Sequence, residues 1–262
     1  MNVLLFVPTY NCENQIVRVL ARVKRAIPEE WTICLIDNCS QDQTIAVARS
    51  FLFAEFADFS YLILRNPRNL SLGGSHKVAF KYALENGFDW IVVLHGDDQA
   101  NIDDLFISSV ADQMKSEQID CYLGSRFSNE SSVRGYSKFR EIGNKLLMLA
   151  YPRLNNKRIS DMGSGLNVYR LEFLKDLDWS NLPDDLTFNN FFLVECIEKN
   201  AKVKFFPISW REEDQVSNAK PIRQSIKILA GIFRYRMGKK RILGYSVSSL
   251  PKPEFIGSSQ QK

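Results

Sequence analysis

His95-Gly96-Asp97-Asp98-Gln99 follows the apolar run Trp90 to Leu94 without a transition. A short β-branched run with no alternation is how a central strand covered on both faces of a parallel sheet reads, and ligands of open α/β sheets bind at the carboxyl ends of such strands. Asp97 offers a carboxylate and Gln99 a carbonyl oxygen, ligands suited to Mg²⁺ or Mn²⁺, and Gly96 lets the backbone turn beside a bulky phosphate. A second reading stays open. Asn101 and Asp104 have the spacing of a helix N-cap with its acidic partner, which would make Asp97 and Asp98 solvated turn residues.

The segments before this motif alternate in a way that would position it. Strands are expected at Val3 to Val7, Trp31 to Ile36 and Tyr61 to Leu64. A helix is expected after each: one on the stripe Ile16, Leu20, Val23, Ile27, one from Gln43 to Phe53 capped by Asp42, and one from His76 to Asn86. A βαβαβαβ order argues for a parallel sheet wrapped by helices. The first turn, PTYNCE, lacks the glycine fingerprint of dinucleotide-binding folds. Beyond the motif the pattern gives a helix from Ile102 to Lys115, strands at Asp120 to Gly124, Leu166 to Tyr169 and Val203 to Pro207, and helices from Lys138 to Tyr151 and Phe188 to Glu198. Arg211 to Ala219 reads as a charged loop.

The last helix carries Ile222, Ile226, Leu229, Phe233 and Met237 as one apolar stripe, flanked by Arg223, Lys227, Arg234, Arg236, Lys239, Lys240 and Arg241. Such a basic amphipathic helix can dock on the sheet or lie on an anionic membrane surface. Residues 246–262 are expected to be a flexible tail.

The 262 residues, 45% hydrophobic, suffice for one large domain with an appendage. A net charge of +4 is too mild to argue for nucleic acid, and none is expected as a partner. The five cysteines form no CxxC pair, and reduced structural thiols fit a cytoplasmic protein. No stretch has the ~20 apolar residues of a spanning helix, and the start, MNVLLFVP, reads as a strand rather than a leader.

Several loops at strand ends, taken together, resemble the family 2 glycosyltransferases of GT-A fold. The family pattern P-x-Y-N-x-E matches Pro8, Tyr10, Asn11 and Glu13. D-[DN]-x-S-x-D-x-T matches Asp37, Asn38, Ser40, Asp42 and Thr44, and the N-x-G region matches Asn69 through Gly73, Lys77 and Ala79. D-x-D-x-Q falls on His95, Asp97 and Gln99, G-S-R on Gly124 to Arg126, D-x-x-S-G on Asp161 to Gly165, and S-x-x-K on Ser217 to Lys220. Within the family the combination looks most like the polyprenyl-phosphate and dolichol-phosphate mannose branch. His95 departs from the first acidic position of D-x-D, and Asn189 stands where an acidic residue is common.

The resemblance implies an α/β chain of GT-A type: a mostly parallel Rossmann-like sheet flanked by helices, with the C-terminal basic amphipathic helix appended. Residues 1–220 would be catalytic, with a nucleotide-sugar half to about 125 and an acceptor half after it, followed by the helix at 221–245. Pro8, Tyr10, Asn11, Glu13, Asp37, Asn69, Gly73, Lys77, Gly96 and Asp98 would line a UDP- or GDP-linked donor. His95, Asp97 and Gln99 would hold Mg²⁺ or Mn²⁺. Arg126, Arg134, Arg140 and Lys220 would hold an anionic acceptor. Asp97 and Asp161 would be catalytic, Asp161 as general base for a hydroxyl acceptor. Two bland alternatives stand beside these: Lys77 as a solvated helix lysine, and Asp161 as a turn-former bonded to Gly163 or Ser164.

The expected reaction is a metal-dependent, inverting transfer of a sugar to polyprenyl phosphate by a protein peripheral to the cytoplasmic face of a membrane. A glycan or protein hydroxyl as acceptor is one alternative. A nucleotide-sugar-binding protein that has lost turnover is the other.

Overall fold

The structure is a computed structural model that describes residues 1–116, 118–151, 159–214, 221–236 and 249–259. Lys220, the S-x-x-K segment and the basic cluster Lys239 to Arg241 lie outside them, as do the side chains of Arg223, Arg234 and Arg236.

The first half alternates β1 (Val3–Thr9), α1 (Ile16–Ala26), β2 (Thr32–Asp37), α2 (Thr44–Glu55), β3 (Ser60–Arg65), α3 (Ser71–Glu85) and β4 (Trp90–Leu94). The expected single helix after β4 is two, α4 (Asp103–Ile107) and α5 (Val110–Ser116), separated where Ser109 takes φ 55°. Then follow β5 (Cys121–Ser125), β6 (Ser132–Arg134), α6 (Lys138–Met148), β7 (Leu166–Arg170), α7 (Leu171–Lys175), α8 (Phe188–Glu198), β8 (Val203–Pro207), β9 (Ser209–Arg211), α9 (Pro221–Arg236) and β10 (Glu254–Ser258).

Eight strands form one sheet in the order β10-β3-β2-β1-β4-β7-β5-β8, parallel except at β7 and β10. Every residue of β4 is buried, as its unbroken apolar run requires. The two cores lie on opposite faces of the sheet, one built on α3 and α8 and the other on α1 and α2. The reversal of β7 follows from the path of the chain. It leaves β5 at the ligand-binding end, makes β6 and α6 there, and re-enters the sheet from the same end.

Three segments differ from their sequence pattern. Helix α3 starts at Ser71, so Gly73 and Gly74 lie in its first turn rather than in a loop. A Cβ on Gly73 would sit 2.3 Å from the carbonyl oxygen of Pro183, and only glycine admits that approach. The expected flexible tail contains β10, which pairs with β3 from Glu254↔Arg65 to Ser258↔Leu62 and covers an otherwise bare sheet edge. Main-chain pairing does not need an apolar sequence, which is why composition pointed the other way.

Helix α9 docks, but not through the described part of the expected stripe, of which the Ile222 side chain and Met237 lie outside the described residues. Ile228, Gly231 and Ile232 are buried, with Gly231 directly against the Phe191 ring of α8, while Ile226, Leu229 and Phe233 are exposed. The helix thus carries two apolar faces, of which the sheet side covers one. No helix among the described residues is long and apolar enough to cross a membrane.

Candidate active site

The first two βα loops brace each other at the carboxyl end of the sheet. The Asn11 side-chain oxygen accepts from the Gln41 N–H at 2.8 Å, Glu13 from the Gln43 N–H at 2.8 Å, and Asp42 from the Glu13 N–H at 3.2 Å. Glu13 is therefore spent on holding this loop pair. The Pro8 carbonyl accepts the Gly96 N–H at 3.0 Å, tying the same pair to the motif after β4. Tyr10 is half-buried beside them.

A row of amides links the next strand ends. Asn38 accepts from Leu70 N–H at 2.8 Å and from Asn66 at 3.0 Å, and donates to Asn69 at 2.8 Å. Asp37 is buried, accepts from the Ser40 N–H at 3.2 Å and faces Arg65 at 3.4 Å.

A cleft of about 530 Å³ opens where β1 and β4 meet the re-entry turn before β7. His95, Asp97, Gln99, Arg126, Tyr136, Arg140, Gly163 to Gly165, Asn189 and Trp210 are among its lining residues, with apolar side chains of α6 and α9 at its rim. Asp97 is half-buried, and desolvation pushes its carboxyl up to about 6, with the negative charge of Glu212 adding and the Gln99 N–H opposing. Burial pushes His95 down to about 4, so it is a neutral imidazole near neutral pH, and its Nε2 is buried without a hydrogen-bond partner. Behind it, His76 sits among Phe6, Phe80 and Phe188 and is pushed down to about 3 by burial and by the neighbouring His95. Among the described residues no group of three or more His, Cys, Asp or Glu side chains gathers to hold a metal ion. Asp97, the neutral His95 with its unpartnered Nε2, and the Gln99 amide oxygen are the cleft residues that could ligate a divalent cation, and a diphosphate would have to supply the rest.

Opposite Asp97 stands Arg126. Its Nε and Nη2 donate to Asp161 at 2.9 and 2.7 Å, and its guanidinium lies about 5 Å from the rings of Phe127, Tyr136 and Trp210. Nη1 has only a 3.5 Å contact to the Tyr136 hydroxyl. Arg140, over the Tyr136 ring at 4.6 Å, pairs with Glu212 at 2.6 Å.

Four expected roles need correcting. Asp161 is 2% exposed and accepts two side-chain bonds and one main-chain bond from Arg126, together with the N–H groups of Met162 and Gly163. Burial alone would raise its pKa, but the Arg126 charge and these bonds hold it below the usual carboxylate value, which does not suit a general base. Asp98 is buried and turned away from the cleft at φ 62°, paired with Arg18, Arg22 and Arg211. Lys77 is buried and bound to the Leu182 carbonyl and Asp184, both at 2.6 Å, so it is neither solvated nor in the cleft wall. Arg134 is exposed on β6 and does not line the cleft.

Sequence reasoning missed Tyr136, Trp210 and Glu212. The Trp-Arg-Glu-Glu run at 210–213 was the available signal, since a buried-type aromatic beside alternating charges marks the end of a strand, here β9. Replacing Asp161 by Asn should cost about 3–5 kcal/mol of stability, because it leaves the Arg126 charge buried and unpaired. Urea unfolding measures this; unchanged stability with lost turnover would restore Asp161 to a chemical role.

Comparison with known proteins bears on this geometry. Residues 5–178 match the family described as Glycosyl transferase family 2. The chain is 27% identical over 203 residues to polyprenol monophosphomannose synthase of Mycolicibacterium smegmatis, covering 73% of this chain and 74% of that one. It is 26% identical over 179 residues to undecaprenyl-phosphate mannosyltransferase of Micrococcus luteus, covering 68% and 70%. Among solved structures, glucosyl-3-phosphoglycerate synthase from Mycobacterium tuberculosis with Mn²⁺, UDP-glucose and phosphoglyceric acid superposes with a TM-score of 0.64 at 14% identity, over 90% of this chain and 80% of that one. Since the family match spans more than half of the chain and takes in the loops that carry His95, Asp97, Gln99, Arg126 and Gly163 to Gly165, the chain belongs to glycosyl transferase family 2.

Proposed function

We propose that this glycosyltransferase moves a sugar from a UDP- or GDP-linked donor to the phosphate of a polyprenyl phosphate, by one in-line displacement with inversion, at a membrane surface. The carrying observation is that Arg126 and Arg140 face the cleft that Asp97 lines, while Asp161, the carboxylate expected as base, is fully engaged. A phosphate oxygen is already ionised near neutral pH and needs no base, only positive charge to hold it. Both curated relatives described above carry a polyprenyl-phosphate or polyprenol-phosphate activity in their names.

On this reading the donor base meets Asp37 and the Asn38–Asn66–Asn69 row, and the sugar reaches the cleft near Gly163 to Gly165. Asp97, with His95 and Gln99, would hold Mg²⁺ or Mn²⁺, and the structural neighbour bound to Mn²⁺ and UDP-glucose supports that use. When bound, the cation supplies positive charge to the departing nucleoside diphosphate. Arg126 is kept rigid by Asp161 and the aromatic surround, and aims Nη1 at the acceptor phosphate; Arg140 adds a second charge. Lys220 is retained as a further phosphate partner by the resemblance alone.

The membrane contact is supported by an apolar rim. Phe139, Ile142, Leu146 and Leu149 at α6 and Ile226, Leu229 and Phe233 on α9 are each 45% to 75% exposed. Phe139, Ile226 and Leu229 also line the cleft, so a prenyl chain leaving it would run onto this surface. Residues of this kind, pointing outward beside a phosphate site, fit the acyl boundary of a lipid monolayer.

A donor screen that follows nucleoside diphosphate release with Mg²⁺ or Mn²⁺, with and without a short polyprenyl phosphate, tests the reaction. Release should depend on the lipid phosphate, and Asp97→Ala should lower it by at least ~10²-fold while the protein stays folded. Near-parental turnover in that variant would remove Asp97 from the site. Sedimentation with anionic liposomes tests the rim. Phe139→Asp with Phe233→Asp should weaken binding by at least ~10-fold, each ring contributing about 1.5–3 kcal/mol when buried; unchanged binding would place the membrane contact elsewhere.

A further inference from the structure

Lys77 was expected at the donor phosphates, yet the structure buries it completely at a different junction. Leu70, Gly73, Gly74 and Lys77 fall at i, i+3, i+4 and i+7, one face at the start of α3. That face meets the segment 182–187 that leads into α8. The Gly74 N–H donates to the Asp184 carbonyl at 3.1 Å, Gly73 leaves room for the Pro183 and Asp184 main chain, and Lys77 Nζ bonds the Leu182 carbonyl and Asp184 Oδ1 at 2.6 Å each. On its other side the segment is held by Lys227 of α9, which pairs with Asp185. Directly after these two anchors come side chains that line the cleft, Leu186 and, in the first turn of α8, Asn189. The Asn189 side-chain oxygen is buried and has no hydrogen-bond partner.

We infer that Lys77 and Asp184 form a buried clasp through which the donor-side helix α3 sets the position of the cleft wall at 186–190, so that Lys77 is a positioning residue for the acceptor and not a ligand of the donor diphosphate. This rests on the acceptor reading proposed above. A charged lysine buried against a carbonyl and a carboxylate holds a segment by two directional bonds, which an apolar contact cannot do. The wall it holds carries a buried acceptor without an internal partner, the Asn189 side-chain oxygen, and a substrate hydroxyl would supply its donor.

The test compares Lys77→Met and Asp184→Asn with the parent in three measurements: amide exchange over residues 182–190, binding of UDP and GDP with Mg²⁺ by calorimetry, and the KM and kcat for a short polyprenyl phosphate. Exchange should quicken by at least ~10-fold and acceptor KM rise by at least ~10-fold, with kcat and nucleotide affinity within about threefold of the parent. Nucleotide affinity lowered ~10-fold with exchange unchanged would overturn the inference and return Lys77 to the donor. Faster exchange with an unchanged KM would overturn its acceptor half. Gly73→Ala, which presses on the Pro183 carbonyl with Lys77 intact, must reproduce the pattern, and it serves if the Lys77 variant does not fold. If the parent transfers to no polyprenyl phosphate, the functional proposal fails, and exchange and nucleotide binding still decide whether the clasp exists.

Discussion

The arrangement of the cleft depends on the ion pair between Arg126 and Asp161. It joins the end of β5 to the turn by which the chain re-enters the sheet as β7, across a gap of 35 residues in sequence. Burying either charge alone would be costly, whereas a bidentate pair with additional main-chain donors satisfies both. The turn pinned there leads into β7, antiparallel between β4 and β5, and the Gly165 carbonyl accepts the His95 N–H at 2.9 Å. The same pair fixes the Arg126 side chain in the cleft wall.

Charge across the cleft is divided accordingly. Asp97, raised by burial and by Glu212, shares the cleft with Arg126 and Arg140, which pair with Asp161 and Glu212. His95 is neutral because its ring is desolvated, so the motif carries one carboxylate where D-x-D carries two. A cation held there would depend more on a donor diphosphate for its remaining ligands. This is a physical reason to expect donor and metal to bind together.

Much of this was legible in the sequence because burial writes directly into composition. The unbroken apolar run at β4 reads as a covered parallel strand, and the motif after it as lying at the ligand-binding end of the sheet. What was hidden are partners. Asp98, Lys77 and Asp161 were recognised as chemically capable, yet each is paired with a residue 35 to 113 positions away, and nothing in a linear pattern names that partner. The start of α3 was hidden because glycines that read as a loop are there to admit another segment's backbone. The stripe on α9 was read correctly as apolar, but a second face with a glycine at its centre is the one that docks, and close approach by a small residue leaves no hydrophobic signal.

The account turns on the acceptor being an anion that needs no base. Turnover of the parent protein with a short polyprenyl phosphate and with the corresponding polyprenol, under the same donor and metal, tests this most directly. Nucleoside diphosphate release with the phosphate and none above background with the alcohol is the expected result. Comparable release with the alcohol would contradict the account, since it would require a base that the engaged Asp161 cannot supply.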